Sequence, residues 1–176
     1  MLMKRIFIIT QEEPFFIPKM LKHLTLNAKN NFKIVGYTVL KPHRKNKTIV
    51  DWVFERVKIY SYIELIIVFC AMMIVKTFNC FGGVFSCKKV LRQTTSNELI
   101  TTDINSGEYI DKLIKLDIDI IISISCPQLF GANLLEIPKL GCINAHGTLL
   151  PMHRGVFGSW WTLYCEDKKA GGTIHT

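Results

Sequence analysis

Asn144 and His146 are the residues on which chemistry is most readily built. They close the run G-C-I-N-A-H, Gly141 to His146, which reads as a strand that Gly147 ends. Side chains alternate along a strand, so Asn144 and His146 face the same side. In open parallel sheets, ligands bind beyond the carboxyl ends of the strands. A carboxamide N–H beside an imidazole at that place suits a developing oxyanion. The imidazole also exchanges protons near neutral pH. Taken alone, an N-x-H pair is more often a structural histidine, so its surroundings decide.

The elements that must hold this pair are legible upstream. Arg5 to Thr10 (R-I-F-I-I-T) reads as a short buried strand, followed by a turn carrying Glu12, Glu13 and Pro14. Pro18 suits the first turn of a helix running to about Asn27, with Met20, Leu21, Leu24 and Leu26 as most of its apolar face. Phe32 to Leu40 is a second strand, and strand, helix, strand at this spacing predicts a βαβ unit in a parallel sheet. Ser106 is a helix N-cap, with Tyr109, Ile110, Leu113 and Ile114 at helical spacing. Ile118 to Ser125 is a strong buried strand that Pro127 stops, and Gln128 to Leu135 reads as a helical piece.

Two segments are ambiguous. Lys41 to Lys47 (K-P-H-R-K-N-K) is a basic loop, read as a solvated connection, with an anion contact as the sharper alternative. Leu65 to Cys87 is strongly apolar, with Lys76 as its only charge. A spanning helix needs about 20 continuous apolar residues, and Asn79, Gly82, Gly83 and Ser86 dilute the second half. A buried or partly buried helix is expected, with a membrane-surface helix as the alternative.

Composition sets the bounds. The 176 residues make one domain, 1–176, against a prior of about 150 residues per domain. Hydrophobic residues are 49% and charged residues 20%, a globular balance. The 22 Lys and Arg against 14 Asp and Glu leave a net charge of +8. That excludes an acidic solvating protein and favours an anionic partner such as nucleic acid, a membrane surface, a nucleotide or a polyglutamylated cofactor. The six cysteines, Cys70, Cys80, Cys87, Cys126, Cys142 and Cys165, contain no C-x-x-C pair and no zinc-finger spacing. They read as reduced thiols of a cytoplasmic protein without a metal. The apolar stretch after Lys4 and Arg5 ends at Thr10, too short for a signal-peptide core.

The run from Gly141 to Gly155, G-C-I-N-A-H-G-T-L-L-P-M-H-R-G, closely resembles the active-site signature of 10-formyltetrahydrofolate-dependent formyltransferases. Trp160, Trp161, Glu166, Gly172, Thr173 and His175 follow the pattern downstream. Upstream, the stretch from Asp117 to Phe130 and the P-K-L-G at Pro138 resemble the strand and loop that shape the folate pocket. The resemblance implies a Rossmann-like, doubly wound, mostly parallel α/β sheet. It also implies a reaction in which a substrate amine attacks the formyl carbon of 10-formyltetrahydrofolate. Asn144 and His146 would stabilise the oxyanion, with His146 helping in proton transfer. Ser125, Cys126, Gln128, Leu150 and Arg154 would line the donor site. Gly147, Trp160 and His175 would face the amine substrate. Arg154 and His175 also have structural readings, and one of Trp160 and Trp161 is expected in the core.

Two departures matter. The family completes its triad with an aspartate in a D-x-G loop, and no D-x-G occurs in these residues. The expectation is a catalytic domain incomplete at its C-terminal end and inactive, or nearly so, alone. Gly147 stands where many relatives carry Pro or Ala, a change that loosens the loop or lets a ligand approach the backbone.

The acceptor divides the family. The turn T-Q-E-E-P-F-F is acidic and glycine-free, which speaks against the glycinamide-ribonucleotide branch and its Gly-rich phosphate loop. The R-G-V-F-G-S-W-W stretch and the apolar insertion from Leu65 resemble the sugar N-formyltransferases, which act on nucleotide-linked amino sugars for surface polysaccharide. Methionyl-tRNA formyltransferase, with tRNA as partner, is the alternative. A truncated folate- or membrane-binding module, touching a bilayer through 65–87, is the rival of another class. A homodimer is also compatible with the sequence.

Overall fold

The computed structural model describes residues 3–28, 32–41, 61–80, 86–155 and 158–176, without the side chains of residues 76, 79, 80, 159 and 160. Its sheet is built from β1 (Lys4–Gln11), β2 (Phe32–Leu40), β3 (Ile120–Ile124), β4 (Cys142–His146) and β5 (Thr173–His175). The order is β2-β1-β3-β4-β5. The first four run parallel and β5 is antiparallel to β4. The helices are α1 (Ile17–Ala28), α2 (Tyr62–Cys80), α3 (Cys87–Arg92), α4 (Gly107–Ile114), α5 (Ala132–Leu135) and α6 (Gly158–Tyr164). The basic loop expected at 41–47 lies, except for Lys41, outside the described residues.

Parallel strands are covered on both faces, so they read as continuous apolar runs. β1 divides its side chains accordingly. Ile6 and Ile8 pack with Ile17 and Leu21 of α1 and with Cys87, Val90 and Leu91 of α3. Phe7 and Ile9 pack on the opposite face with Tyr109 and Leu113 of α4 and with Leu134 of α5. This is the doubly wound, mostly parallel arrangement expected from the sequence. The outer edge of β2 is bridged at Tyr37 by the 97–99 segment. Asn97 O accepts from Tyr37 N at 3.1 Å, and Leu99 N donates to Tyr37 O at 2.9 Å.

The acidic turn after β1 is a capping device. Glu13 accepts from the backbone N–H groups of Phe15, Phe16 and Ile17 at 2.8, 2.7 and 2.9 Å, at the start of α1. Glu12 accepts from Cys87 N at 3.0 Å and Lys88 N at 3.3 Å, at the start of α3. Both carboxylates satisfy orphan donors and complement the positive end of a helix.

Several expectations need correction. In α1 only Leu21 is fully buried among the residues expected on the apolar face, while Met20 and Leu26 are exposed. Ile17 and Thr25 take their places. Ile114 of α4 is likewise exposed. Helix begins at Ala132, not Gln128, because the Gln128 side chain is spent on neighbouring backbone. The largest correction concerns the 65–87 segment. It contains a helix, α2, but that helix is not buried: Ile63, Ile66, Ile67, Phe69, Ile74 and Phe78 are 56–71% exposed. No described helix is long and apolar enough to cross a membrane.

Candidate active site

β4 delivers Asn144 and His146, and β5 returns beside it with His175 opposite Asn144 and Thr173 opposite His146. Asn144 Nδ2 donates to His175 Nε2 at 3.0 Å. Accepting at Nε2 puts the proton of a neutral His175 on Nδ1, which meets the Thr176 carbonyl at 3.4 Å. A carboxamide has two N–H donors, so the other remains for an incoming oxygen. His146 Nε2 donates to the His153 carbonyl in a long contact of 3.4 Å. A neutral His146 with that bond offers Nδ1 as its acceptor.

The loop that follows β4 is fastened at several points. Thr148 Oγ1 donates to the same His153 carbonyl at 3.2 Å. Thr173 Oγ1 donates to the Thr148 carbonyl at 2.8 Å and accepts from Leu150 N at 2.9 Å. The Leu150–Pro151 peptide is cis, and His153 has φ 49°, a left-handed conformation uncommon for a residue with a Cβ. His153 Nε2 donates to Asp167 Oδ2 at 2.5 Å, with the two side chains only 14% and 16% exposed. The His153–Asp167 pair thereby fixes the carbonyl that His146 meets. Sequence reasoning missed both residues, because their pairing across 14 positions follows no local periodicity. Thr148 and Thr173 stand within the resembling pattern, but their bonds to His153, Leu150 and each other follow no local periodicity either.

Of the residues expected to line the donor site, Ser125, Cys126 and Gln128 follow the carboxyl end of β3, while Leu150 and Arg154 lie on the loop after β4. Ser125 follows the strand with φ 50° and an exposed side chain. Cys126 packs against the second core, and burial pushes its thiol up to about 11. Gln128 Oε1 accepts from Ile104 N at 3.0 Å and its Nε2 donates to the Thr102 carbonyl at 2.7 Å. Those bonds make Gln128 a clamp on the 102–104 loop. Arg154 is exposed on the fastened loop. A Cβ placed on Gly147 would meet nothing within 4 Å, and Gly147 borders a depression with Thr162, Leu163, Ala170 and Gly171. Trp160 lies on α6 with its side chain outside the described set. Trp161 is not a core residue: it is 41% exposed and meets Tyr164 edge-on at 5.8 Å. Among the described residues, no group of three His, Cys, Asp or Glu is placed to hold a metal ion.

Residues 85–176, just over half of the chain and all of the site just described from β3 onward, match the formyl transferase family. The chain belongs to that family. A methionyl-tRNA formyltransferase from Clostridioides difficile (strain 630) is 42% identical over 66 residues, which is 38% of this chain and 21% of that protein. A bifunctional polymyxin resistance protein ArnA from Wigglesworthia glossinidia brevipalpis is 42% identical over 73 residues, 42% of this chain and 11% of that protein. The chain thus matches a small part of the length of these curated relatives.

Solved formyltransferases share the fold. A phosphoribosylglycinamide formyltransferase from Anaplasma phagocytophilum superposes with a TM-score of 0.62 at 11% identity, over 99% of this chain and 64% of its own. A 4-N formyltransferase from Francisella tularensis superposes with a TM-score of 0.52 at 21% identity, over 98% of this chain and 50% of its own. The Rossmann-like sheet of this formyl transferase family member is therefore the family's sheet.

Proposed function

We propose that this protein transfers a formyl group from 10-formyltetrahydrofolate to a primary amine, that of a nucleotide-linked amino sugar. The observation that carries the reading is the juxtaposition of Asn144, His146 and His175 at the carboxyl end of β4, in a chain of the formyl transferase family. The donor supplies an electrophilic formyl carbon whose oxygen gains negative charge when the amine adds. The spare Asn144 N–H is the donor for that oxygen, held in place by the bond to His175. His146 Nδ1 is the acceptor for the proton the amine must lose, with its ring oriented through Nε2 by the His153 carbonyl, and it returns that proton to the tetrahydrofolate nitrogen as the bond from that nitrogen to the formyl carbon breaks. Ser125, Cys126, Gln128, Leu150 and Arg154 are proposed for the donor side, and Gly147, Trp160 and His175 for the acceptor side. The open space over Gly147 fits a ligand approaching the backbone closely.

The acidic turn bears on the acceptor. Helix N-termini attract phosphates, yet the one at α1 is filled by the Glu13 carboxylate. A phosphoribosyl amine held at that turn would meet like charge, which supports the discount of the glycinamide-ribonucleotide branch. A second reading, with methionyl-tRNA as acceptor, is favoured by the 42% identity to a methionyl-tRNA formyltransferase. The protein made from its complete coding frame should be offered 10-formyltetrahydrofolate with amino-sugar nucleotides and, separately, with charged initiator tRNA. Formylation of the sugar at a kcat/KM at least tenfold above that for tRNA is expected. The reverse preference would replace the first reading with the second.

A further inference from the structure

The helix α6 is tied to the loop after β4 at both of its ends. At its start, Gly158 lies against Thr148, and an added Cβ would collide with Thr148 Cγ2. At its end, Glu166 N donates to the Leu163 carbonyl at 3.1 Å and Asp167 N to the Thr162 carbonyl at 3.0 Å. With Glu166 at φ 51°, these are the two bonds of a Schellman motif. Glycine usually takes the left-handed position of that motif, because it has no Cβ to strain. Here a glutamate is held there, and the reversal turns Asp167 back onto His153 Nε2. His153 is itself left-handed, at φ 49°. One residue of the pair and the neighbour of the other thus occupy a sparsely populated conformation. Such conformations persist where the surroundings over-determine them, and they cluster at functional sites.

What the pair holds is a carbonyl. The backbone conformation at His153 sets where its oxygen points, and that oxygen accepts from His146 Nε2 at 3.4 Å and from Thr148 Oγ1 at 3.2 Å. Thr148 is buried, so its hydroxyl has no water to turn to. With Nε2 committed to the carbonyl, a neutral His146 keeps Nδ1 as its acceptor. A bond of 3.4 Å is weak, so a small displacement of the carbonyl breaks it and frees the ring. Exposed ion pairs contribute little, but His153 and Asp167 are largely out of water, where their attraction is less screened. The chain of contacts therefore runs from the end of α6 through the His153 ring and backbone to His146.

We propose that His153 and Asp167 are positioning residues for His146, with Asp167 acting through His153 to keep the His146 imidazole in the orientation that proton transfer needs. The inference rests on the proposed formyl transfer with His146 as proton acceptor, and its test separates the two. The full chain is compared with Asp167→Ala, Asp167→Asn and His153→Gly. Asparagine keeps a side-chain oxygen for His153 Nε2–H, and alanine does not. Glycine removes the His153 ring but takes a left-handed φ without strain. In a proton–carbon NMR spectrum, the His146 Cε1–H signal is assigned by its loss in His146→Ala. That signal should shift or broaden in Asp167→Ala and in His153→Gly, and hold its parental position in Asp167→Asn. In formyl transfer, Asp167→Ala should lower kcat about tenfold or more, as misplacement of a reacting group does. Both KM values should stay within about twofold of the parent, and Asp167→Asn should recover most of the rate. A pair that only braced the loop would lower the thermal midpoint and leave the His146 signal in place. A parental His146 signal in Asp167→Ala and His153→Gly would overturn the proposal, as would a parental kcat in Asp167→Ala. A signal that responds as expected in a protein that transfers no formyl group would sink the proposed reaction and support the positioning.

Discussion

Asn144 has two carboxamide N–H donors, and one of them is already committed to His175. His146 has two ring nitrogens, and Nε2 is committed to the His153 carbonyl. What each residue has left over is one donor and one acceptor on the same side of β4, which is the minimum needed to hold an oxyanion and take a proton. The placement of this pair at the end of β4 was legible in the sequence, because N-x-H at a strand end has a fixed consequence for facing. Its support was not. His153, Asp167, Thr148 and Thr173 meet through loop geometry, which no local pattern encodes. The cysteines give a prediction at the same scale. Burial pushes Cys126 and Cys142 up to about 11 and Cys87 up to about 12, whereas Cys70 and Cys165 are exposed. Thiolates are the reactive form, so iodoacetamide at pH 8 should label Cys70 and Cys165 well before the other three, as read by peptide mass spectrometry. Early labelling of Cys126 would contradict its placement against the core. The sign for stability follows. Unfolded thiols ionise near 8.5 while the folded ones stay neutral, so the stability they contribute is complete below that pH. It is lost as pH rises toward 11–12, through the values cited for these three residues.

At the scale of elements, the parallel strands were read almost to the residue. Phe32 to Leu40 was expected and Phe32–Leu40 is β2, because a strand covered on both faces must be apolar throughout. Helix faces were read less well, since an apolar residue on a helix does not reveal whether anything covers it. Met20, Leu26 and Ile114 are exposed for that reason, and so is most of α2. The Gln128–Leu135 piece failed differently: a side chain bonded to the 102 and 104 backbone holds the chain out of helix. Packing between β1 and β2 sets a strict limit at Gly36, where a Cβ would lie 2.8 Å from Phe7 Cε2 and 3.1 Å from the Asn97 carbonyl. Gly36→Ala should therefore cost about 1–3 kcal/mol, the range for overpacking. Glu13→Ala, which removes three backbone contacts at α1, should cost about 1 kcal/mol, in the range for a lost cap. Urea denaturation of the two variants checks both values. A Gly36→Ala protein as stable as the parent would mean that β1 and β2 are further apart than described here.

At the scale of the molecule, two properties stand apart. The sheet, its two cores and the β4–β5 corner form the platform that the formyl transferase family shares. The apolar helix α2, at Tyr62–Cys80, lies outside the match at residues 85–176. Hydropathy announced the helix but not its exposure. The central claim is that the β4 end is a formyl-transfer site. Its most direct test is the rate of formyl transfer from 10-formyltetrahydrofolate by the protein of complete coding length, comparing the parent with His146→Ala at matched folding. His146→Ala should lower kcat by about 10²–10⁴-fold, the usual contribution of a positioned acid–base group. A His146→Ala protein that transfers formyl at the parental rate would contradict it.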